Sequence, residues 1–307
     1  MAHLETTTDA RLAMKVADKL RSAAQTTAYK LRQVQHRARL PRISASSLEL
    51  VREIEAQGVA TRALEELDFP SNAQLLSVLD EVAAALDEAK RDEIEYEEGF
   101  EHCTPLNPSD VAVRFPKLYL WGLDEALLDL VEVCIGTPIA YHGVIARMDL
   151  ADGRRIGTRI WHRDQDDVKV IRVSIYLNDV FDREGGPFQY VPRHLTPPER
   201  ALRGLGSILD EDMARVVPES RWTRCFGPKG TVIIGDVADI LHCGHLPARP
   251  RKALSYYYTT AEPRKEELCR KFSFEKGVPS LRLDEPLTER QRNCLWKYAA
   301  YLPPNAG

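Results

Sequence analysis

The sequence predicts a mainly antiparallel β fold, a sandwich or barrel, flanked by α-helices that come mostly from the N-terminal third. Three observations predict it. The first third carries apolar residues at three- and four-residue spacing, the helical period. From about residue 138 the period becomes two, in short Val-, Ile- and Tyr-rich runs separated by Gly, Pro and Asp. Helices precede strands with no β-α-β alternation, which argues against a parallel sheet.

The first helix is expected in "ARLAMKVADKLRSAAQTTAYKLRQVQHRARL". Leu12, Val16, Leu20, Leu31 and Val34 form one weak apolar stripe. The other face carries Arg11, Lys15, Lys19, Arg21, Lys30, Arg32, Arg37 and Arg39, opposed by Asp18. A solvated helix packed on the domain through its apolar stripe is expected; contact of the basic face with an anionic partner or membrane surface is the alternative. Pro41 ends this helix. Further helices are expected in "SSLELVREIEAQGVATRALEEL" and in "SNAQLLSVLDEVAAALDEAKRDEIEYEE". Ser71 or Asn72 caps the latter, and its acidic tail, Asp87 to Glu98, is a solvated end.

Strands are expected in "IAYHGVIARMDL", "KVIRVSIYLND", "PFQYVP", "GTVIIGD" and "RKALSYYYTT". In the second, Ile171, Val173, Ile175 and Leu177 share an apolar face, while Arg172, Ser174 and Tyr176 share one able to line a polar pocket. A closing helix is expected in "LTERQRNCLWKYAAYL", where Thr288 and Gln291 fit a capping box. The domain boundaries follow: residues 1–137 helical, 138–262 the β core, 263–307 a helical extension, one domain in all.

Bulk properties bound the function. A chain of 307 residues buries a sizeable core without disulfides or structural metal. Its net charge of −4 gives no global field toward nucleic acid. The six cysteines include no CxxC pair, which suits a reducing cytosol. No signal-peptide core and no transmembrane run is found, so a cytoplasmic protein is expected. There is no P-loop, GxGxxG or CxxCH.

The stretch "IWHRDQDD" places His162 and Asp164 two residues apart. On an extended chain such residues point the same way and can converge on one ion. Two imidazoles and a carboxylate on one face suit ferrous iron in oxygen chemistry, because they leave positions open. Alone, H-x-D is a weak signal. Downstream, His242 or His245 follows a strand, and Arg251 begins another. The planar guanidinium of arginine suits two-pronged binding of a carboxylate.

The segments "WHRD", "IYLNDV", "GGPFQYVPRHL", "GTVIIGD", "LHCG" and "RKAL", in that order over residues 139–260, resemble the phytanoyl-CoA dioxygenase-like branch of the Fe(II)/2-oxoglutarate-dependent oxygenases, which includes ectoine hydroxylase. The resemblance covers about the C-terminal 60% of the chain. It implies a double-stranded β-helix (jelly-roll, cupin-like) core. It implies Fe(II) held by His162, Asp164 and His242, with 2-oxoglutarate anchored by Arg251 and O₂ as second cosubstrate. The placement of His242 in "LHCG" favours it over His245. Where the family often has Gly-Ser-His, this chain has Pro192-Arg193-His194, a turn difference that makes His194 no ligand. Relatives that halogenate replace the ligand aspartate with Gly or Ala; Asp164 implies hydroxylation or another oxidation. The implied substrate is a small molecule or sugar, with succinate and CO₂ as co-products.

Arg147 ends the strand before the H-x-D loop, where relatives often place a polar residue reaching cosubstrate or substrate; a surface strand arginine is the alternative. Tyr176, on the polar face of its strand, is expected either to hydrogen-bond a 2-oxoglutarate carboxylate or to be a packed sheet tyrosine. Asp166, Asp167 and Lys169 are expected to form a charged turn with a surface ion pair worth under ~1 kcal/mol, with contact to substrate as the alternative, and Trp161 is expected to be packing. The rival functions are a metal-binding jelly-roll sensor, which has no need of Arg251, and a metal-dependent hydrolase, which needs a general base that the sequence does not nominate.

Overall fold

The computed structural model describes residues 2–89, 101–202, 207–269 and 277–302; for residues 2–16, 18, 19 and 296 it describes the backbone alone. Nine strands form two antiparallel sheets among these residues: β1 (Val59–Ala63), β2 (Cys103–Pro105), β3 (Ile139–Asp149), β4 (Val170–Tyr176), β5 (Phe188–Tyr190), β6 (Thr223–Cys225), β7 (Thr231–Asp236), β8 (His242–Gly244) and β9 (Arg251–Thr260). The larger sheet runs β1-β7-β4-β9-β3-β2 and the smaller β6-β5-β8. All five strands expected from the sequence form. The chain before residue 138 supplies both outer strands of the larger sheet.

The expected helix over residues 46–67 is half right. Helix α2 (Ala45–Gln57) is capped by Ser44, whose side chain accepts from Ser47 N–H, and ends at Gly58 with φ +91°. A left-handed glycine stops the helical ladder. The β-branched Val59 and Thr61 then continue as β1, paired with β7. The next helix is also interrupted, into α3 (Asn72–Leu76) and α4 (Leu79–Glu88). Ser71 occupies its N-cap position, but its hydroxyl donates to Asp124 instead of capping. The rest of the acidic tail, residues 90–98, lies outside the described residues. Three helices not expected individually follow: α5 (Pro108–Arg114), α6 (Pro116–Trp121) and α7 (Glu125–Ile135). At the C-terminus the Thr288–Gln291 capping box is present, but the α-helix is only Glu289–Cys294, continued as a 3₁₀ turn.

Helix α1 (Ala2–His36) docks in the opposite sense to expectation. Leu20, Leu31 and Val34 are exposed. Contact is made by its polar side: Tyr29 donates to Ile135 O (2.6 Å), His36 meets Glu132 (2.7 Å) and Arg32 pairs with Glu262 (2.5 Å). The partner surface here is the carbonyl and carboxylate end of α7, which polar residues satisfy and leucines cannot. Leu12, Val16, Arg11, Lys15 and Lys19 belong to the part described only as backbone.

One apolar core joins α2–α7, the C-terminal helix and one face of the larger sheet. That face presents Val144 and Ala146 of β3, Ile171, Val173 and Ile175 of β4, Val232 and Ile234 of β7, and Leu254, Tyr256 and Tyr258 of β9. Alternation turns Arg172, Ser174 and Tyr176 to the other side, as expected. In β3 the alternation is reset. The register with β9 shifts between Tyr141 and Val144, at Gly143 with φ +100°. Both Tyr141 and Val144 thereby face the core, and Arg147 takes the opposite face. A bulge of this kind re-aims every side chain beyond it.

His142, at the bulge, is fully buried, hydrogen-bonded to Thr259 Oγ1 at 2.8 Å and packed on Tyr257 and Tyr298. Burial pushes its pKa down to about 3. The folded chain therefore stays unprotonated here, while the unfolded imidazole takes a proton near pH 6.5. Stability from this residue is complete above about 6.5 and is lost as pH falls toward 3. His142→Gln is expected to flatten part of the decline in melting temperature between about pH 6.5 and 4; an unchanged slope in a thermal-melt series refutes this.

Candidate metal centre

His162 and His242 are joined by reciprocal backbone hydrogen bonds, His162 N–H to His242 O and His242 N–H to His162 O, each 3.0 Å. Directly opposed residues in such a pair project their side chains to the same face. Two residues on, Asp164 N–H donates to Val237 O at 3.0 Å. The extended H-x-D segment thus lies along the chain that leads into β8.

The two imidazoles are set by the same device. His162 Nδ1 lies 2.6 Å from Ile160 O, and His242 Nδ1 lies 3.3 Å from Ile240 O, each two residues back in its own chain. Donation from Nδ1–H leaves Nε2 with its lone pair free on each ring. Asp164 Oδ1 lies 3.3 Å from His162 Nε2 and 3.7 Å from His242 Nε2. Three donor atoms bound at ~2.1 Å to one ion stand roughly 3.0–3.4 Å apart. The three side chains can therefore hold a divalent ion, after small adjustment on the His242 side. Burial, with His162 beside it, pushes the His242 pKa down to about 3, so its ring is neutral, the form a metal needs. For Asp164, burial opposes ionisation, but Arg172 and the two histidines outweigh it and hold the carboxyl below its usual range.

His245 does not join this group. It faces Asp210 at 3.9 Å. His194 lies in a 3₁₀ turn outside the group.

The polar face of the larger sheet makes the floor beneath the three ligands. One cavity is walled by His162, His242, Arg147, Arg172, Tyr176 and Arg251; its neighbour by His162, Asp164, Asp166, Arg147, Thr158 and Ser255. The residues expected to bind the cosubstrate thus come together around the ligands. Arg251 is not an open fork, however. Its Nε and Nη2 meet Asp149 Oδ2 at 3.1 and 2.6 Å, and Nη1 donates to Gly186 O. Arg147 Nε lies 3.6 Å from the other oxygen of Asp149, and its Nη2 lies 3.4 Å from Thr158. Burial opposes ionisation of Asp149, and the two arginines outweigh it, so the carboxylate stays charged. Two guanidinium charges against one carboxylate leave one positive charge at the cavity wall.

The Tyr176 hydroxyl donates to Cys225 O and accepts from Phe188 N–H, both at 2.9 Å. Its proton is therefore committed, and the ring serves as wall. Trp161 is packing, as expected: it meets Trp222 edge-on and donates to Asp210. The expected charged turn is corrected. Asp166 and Asp167 are buried. Asp167 accepts from Thr260 N–H and Arg264 N–H, and Lys169 pairs with buried Asp236 at 2.5 Å. Backbone donors at the end of β9 need an acceptor, and Asp167 is the one in reach.

Asp149 was not expected at the site, and no role beside the metal ligands was assigned to Arg172. The signal for Asp149 was its two-residue spacing from Arg147 on one strand; Arg172 was already on the polar face of β4. Nothing local in the sequence distinguishes Asp166 from a surface acid.

No family model and no curated protein sequence matches the chain. Among solved structures it is similar to HygX from Streptomyces hygroscopicus with nickel, 2-oxoglutarate and hygromycin B bound (12% identity, 69% of this chain and 86% of that one, TM-score 0.46). It is also similar to the epimerase SnoN in complex with Fe³⁺, α-ketoglutarate and nogalamycin RO (16%, 71% and 85%, 0.45). A third is EctD from S. alaskensis with 2-oxoglutarate and 5-hydroxyectoine (18%, 71% and 77%, 0.47).

Removing a ligand is expected to weaken metal binding by more than about 100-fold in His242→Ala, measured by calorimetric titration of the metal-free protein with Fe(II) or Co(II). His245→Ala is expected to leave it within about twofold. Equal losses in the two variants refute the assignment.

Proposed function

We propose that the chain is a non-haem Fe(II)- and 2-oxoglutarate-dependent dioxygenase. It hydroxylates or otherwise oxidises an unactivated C–H bond of a small molecule or sugar, with succinate and CO₂ as co-products. The observation that carries this is the convergence of His162 Nε2, His242 Nε2 and Asp164 Oδ1 beside a cavity with an unbalanced arginine. The two sheets are the faces of a double-stranded β-helix. Residues 138–262 supply most of the catalytic core, and β1 and β2 from the preceding chain complete its larger sheet; the protein works in the reducing cytoplasm that six cysteines outside any disulfide suit.

Fe(II) held by His162, His242 and Asp164 would leave positions open for an α-keto acid and O₂, and would activate O₂, the oxidant. The chain's own residues do the rest. Arg251, fixed by Asp149 and Gly186 O, and Arg147, held more loosely, take the distal carboxylate of 2-oxoglutarate. The net single positive charge there matches that carboxylate. Tyr176 holds the wall against which the cosubstrate lies. Asp166, Thr158 and Ser255 line the neighbouring cavity and offer hydrogen-bonding groups to a polar substrate.

One observation favours a second function. Asp166 supplies a carboxylate next to the ligands, and burial together with Asp164 raises its pKa, as a general base in metal-assisted hydrolysis needs. Cosubstrate dependence separates the two. Purified protein with Fe(II) and a panel of candidate substrates is expected to release succinate only with 2-oxoglutarate present. Asp164→Ala is expected to abolish that release. Arg251→Ala is expected to raise KM for 2-oxoglutarate about 10- to 100-fold, the loss of one or two charged hydrogen bonds. Turnover that needs metal but no 2-oxoglutarate overturns the oxygenase in favour of the hydrolase.

A further inference from the structure

The carboxylate of Asp164 is divided between two duties. Its Oδ1 faces both histidine Nε2 atoms, at 3.3 and 3.7 Å. Its Oδ2 points away from them and lies 2.7 Å from Arg172 Nη2. Both partners are largely shielded from solvent, with side-chain exposures of 7% for Asp164 and 14% for Arg172, so water weakens this hydrogen bond little. Arg172 is itself rigidly placed. It stands in the middle of β4, paired with Gly235 of β7 on one side and Tyr257 of β9 on the other. Its guanidinium carbon lies 5.3 Å from the centre of the Tyr257 ring. A cation held on an aromatic face by a central strand has little freedom to follow a moving carboxylate.

From this geometry we infer that Arg172 is a positioning residue for the metal centre: it holds Asp164 to ligation through one oxygen. The inference rests on the metal site proposed above and adds a residue to it. A carboxylate free to rotate can offer an ion both oxygens and fill two coordination positions. With Oδ2 bonded to Arg172, Asp164 supplies Oδ1 alone. The protein then contributes three donor atoms and no more, which keeps positions open for exogenous ligands. Arg172 also fixes the direction from which Oδ1 approaches, because the carboxylate cannot turn without giving up a charge-assisted hydrogen bond in a buried setting. Partners that orient a metal ligand in this way typically change metal affinity 10- to 100-fold when removed.

The test uses Co(II) as the probe on full-length, metal-free protein. Its binding constant is measured by titration, and its visible absorption reports coordination number. Wild-type protein is expected to bind one Co(II) with weak bands of a five- or six-coordinate ion. Arg172→Met is expected to bind about 10- to 100-fold more weakly, with a changed band pattern. Arg172→Lys, which keeps the positive charge in the floor, is expected to recover part of the affinity. Melting temperatures of the metal-free variants are recorded alongside, and if Arg172→Met does not fold, Arg172→Lys and Arg172→Gln decide. Affinity and spectrum unchanged in the variants that fold overturn the inference, and a lowered melting temperature alone does not rescue it. Failure of wild-type protein to bind Co(II) refutes the metal site itself, a distinct outcome.

Discussion

The reciprocal backbone pair between His162 and His242 is the constraint on which the site depends. The two residues are eighty positions apart in sequence, and their side chains meet because a two-residue antiparallel ladder leaves them no other face. The same ladder explains why His245 is not a ligand. It lies three residues further on, past the end of the short strand His242–Gly244, where it turns to Asp210. Both ligand rings are locked by a carbonyl of their own chain, so correct folding of the backbone also sets the tautomers.

Around that pair three largely buried carboxylates each face at least one cation. Asp149 faces Arg147 and Arg251, Asp164 faces Arg172, and Asp236 faces Lys169 and Arg193. Breaking one such buried pair leaves an uncompensated charge, at a cost of about 3–5 kcal/mol. The site is therefore electrostatically stiff. At the Asp149 end the excess of arginine is placed on the cavity wall, where an incoming anion improves the balance.

Much of this was legible in the sequence, for a definable reason. Period-two runs such as "KVIRVSIYLND" state both that a strand forms and which face is polar, so Arg172, Ser174 and Tyr176 are placed by the sequence itself. The H-x-D pair and His242 were readable because motif order constrained them. What failed was what depends on distant partners. The apolar residues of α1 look like a packing stripe until the polar end of α7 proves to be its neighbour. Residues 59–63 continue a helical pattern until β7 offers them a ladder. Asp166 and Asp167 read as solvent-loving acids because only the fold shows the end of β9 descending over them.

Gly143 separates two frames within one strand. Before it, β3 obeys the demands of the apolar core; after it, those of the site. A side chain at φ +100° costs roughly 1–2 kcal/mol, modest beside the stability of a domain. The strain can be relieved by letting the strand slip one residue and close the bulge. The core would then receive Arg147 and the cavity Ala146, or the strand beyond would detach. Fold integrity and site integrity can thus fail separately in this chain. A variant at position 143 can keep its helices, its sheet and its metal ligands and still have lost the side chain that meets the anion.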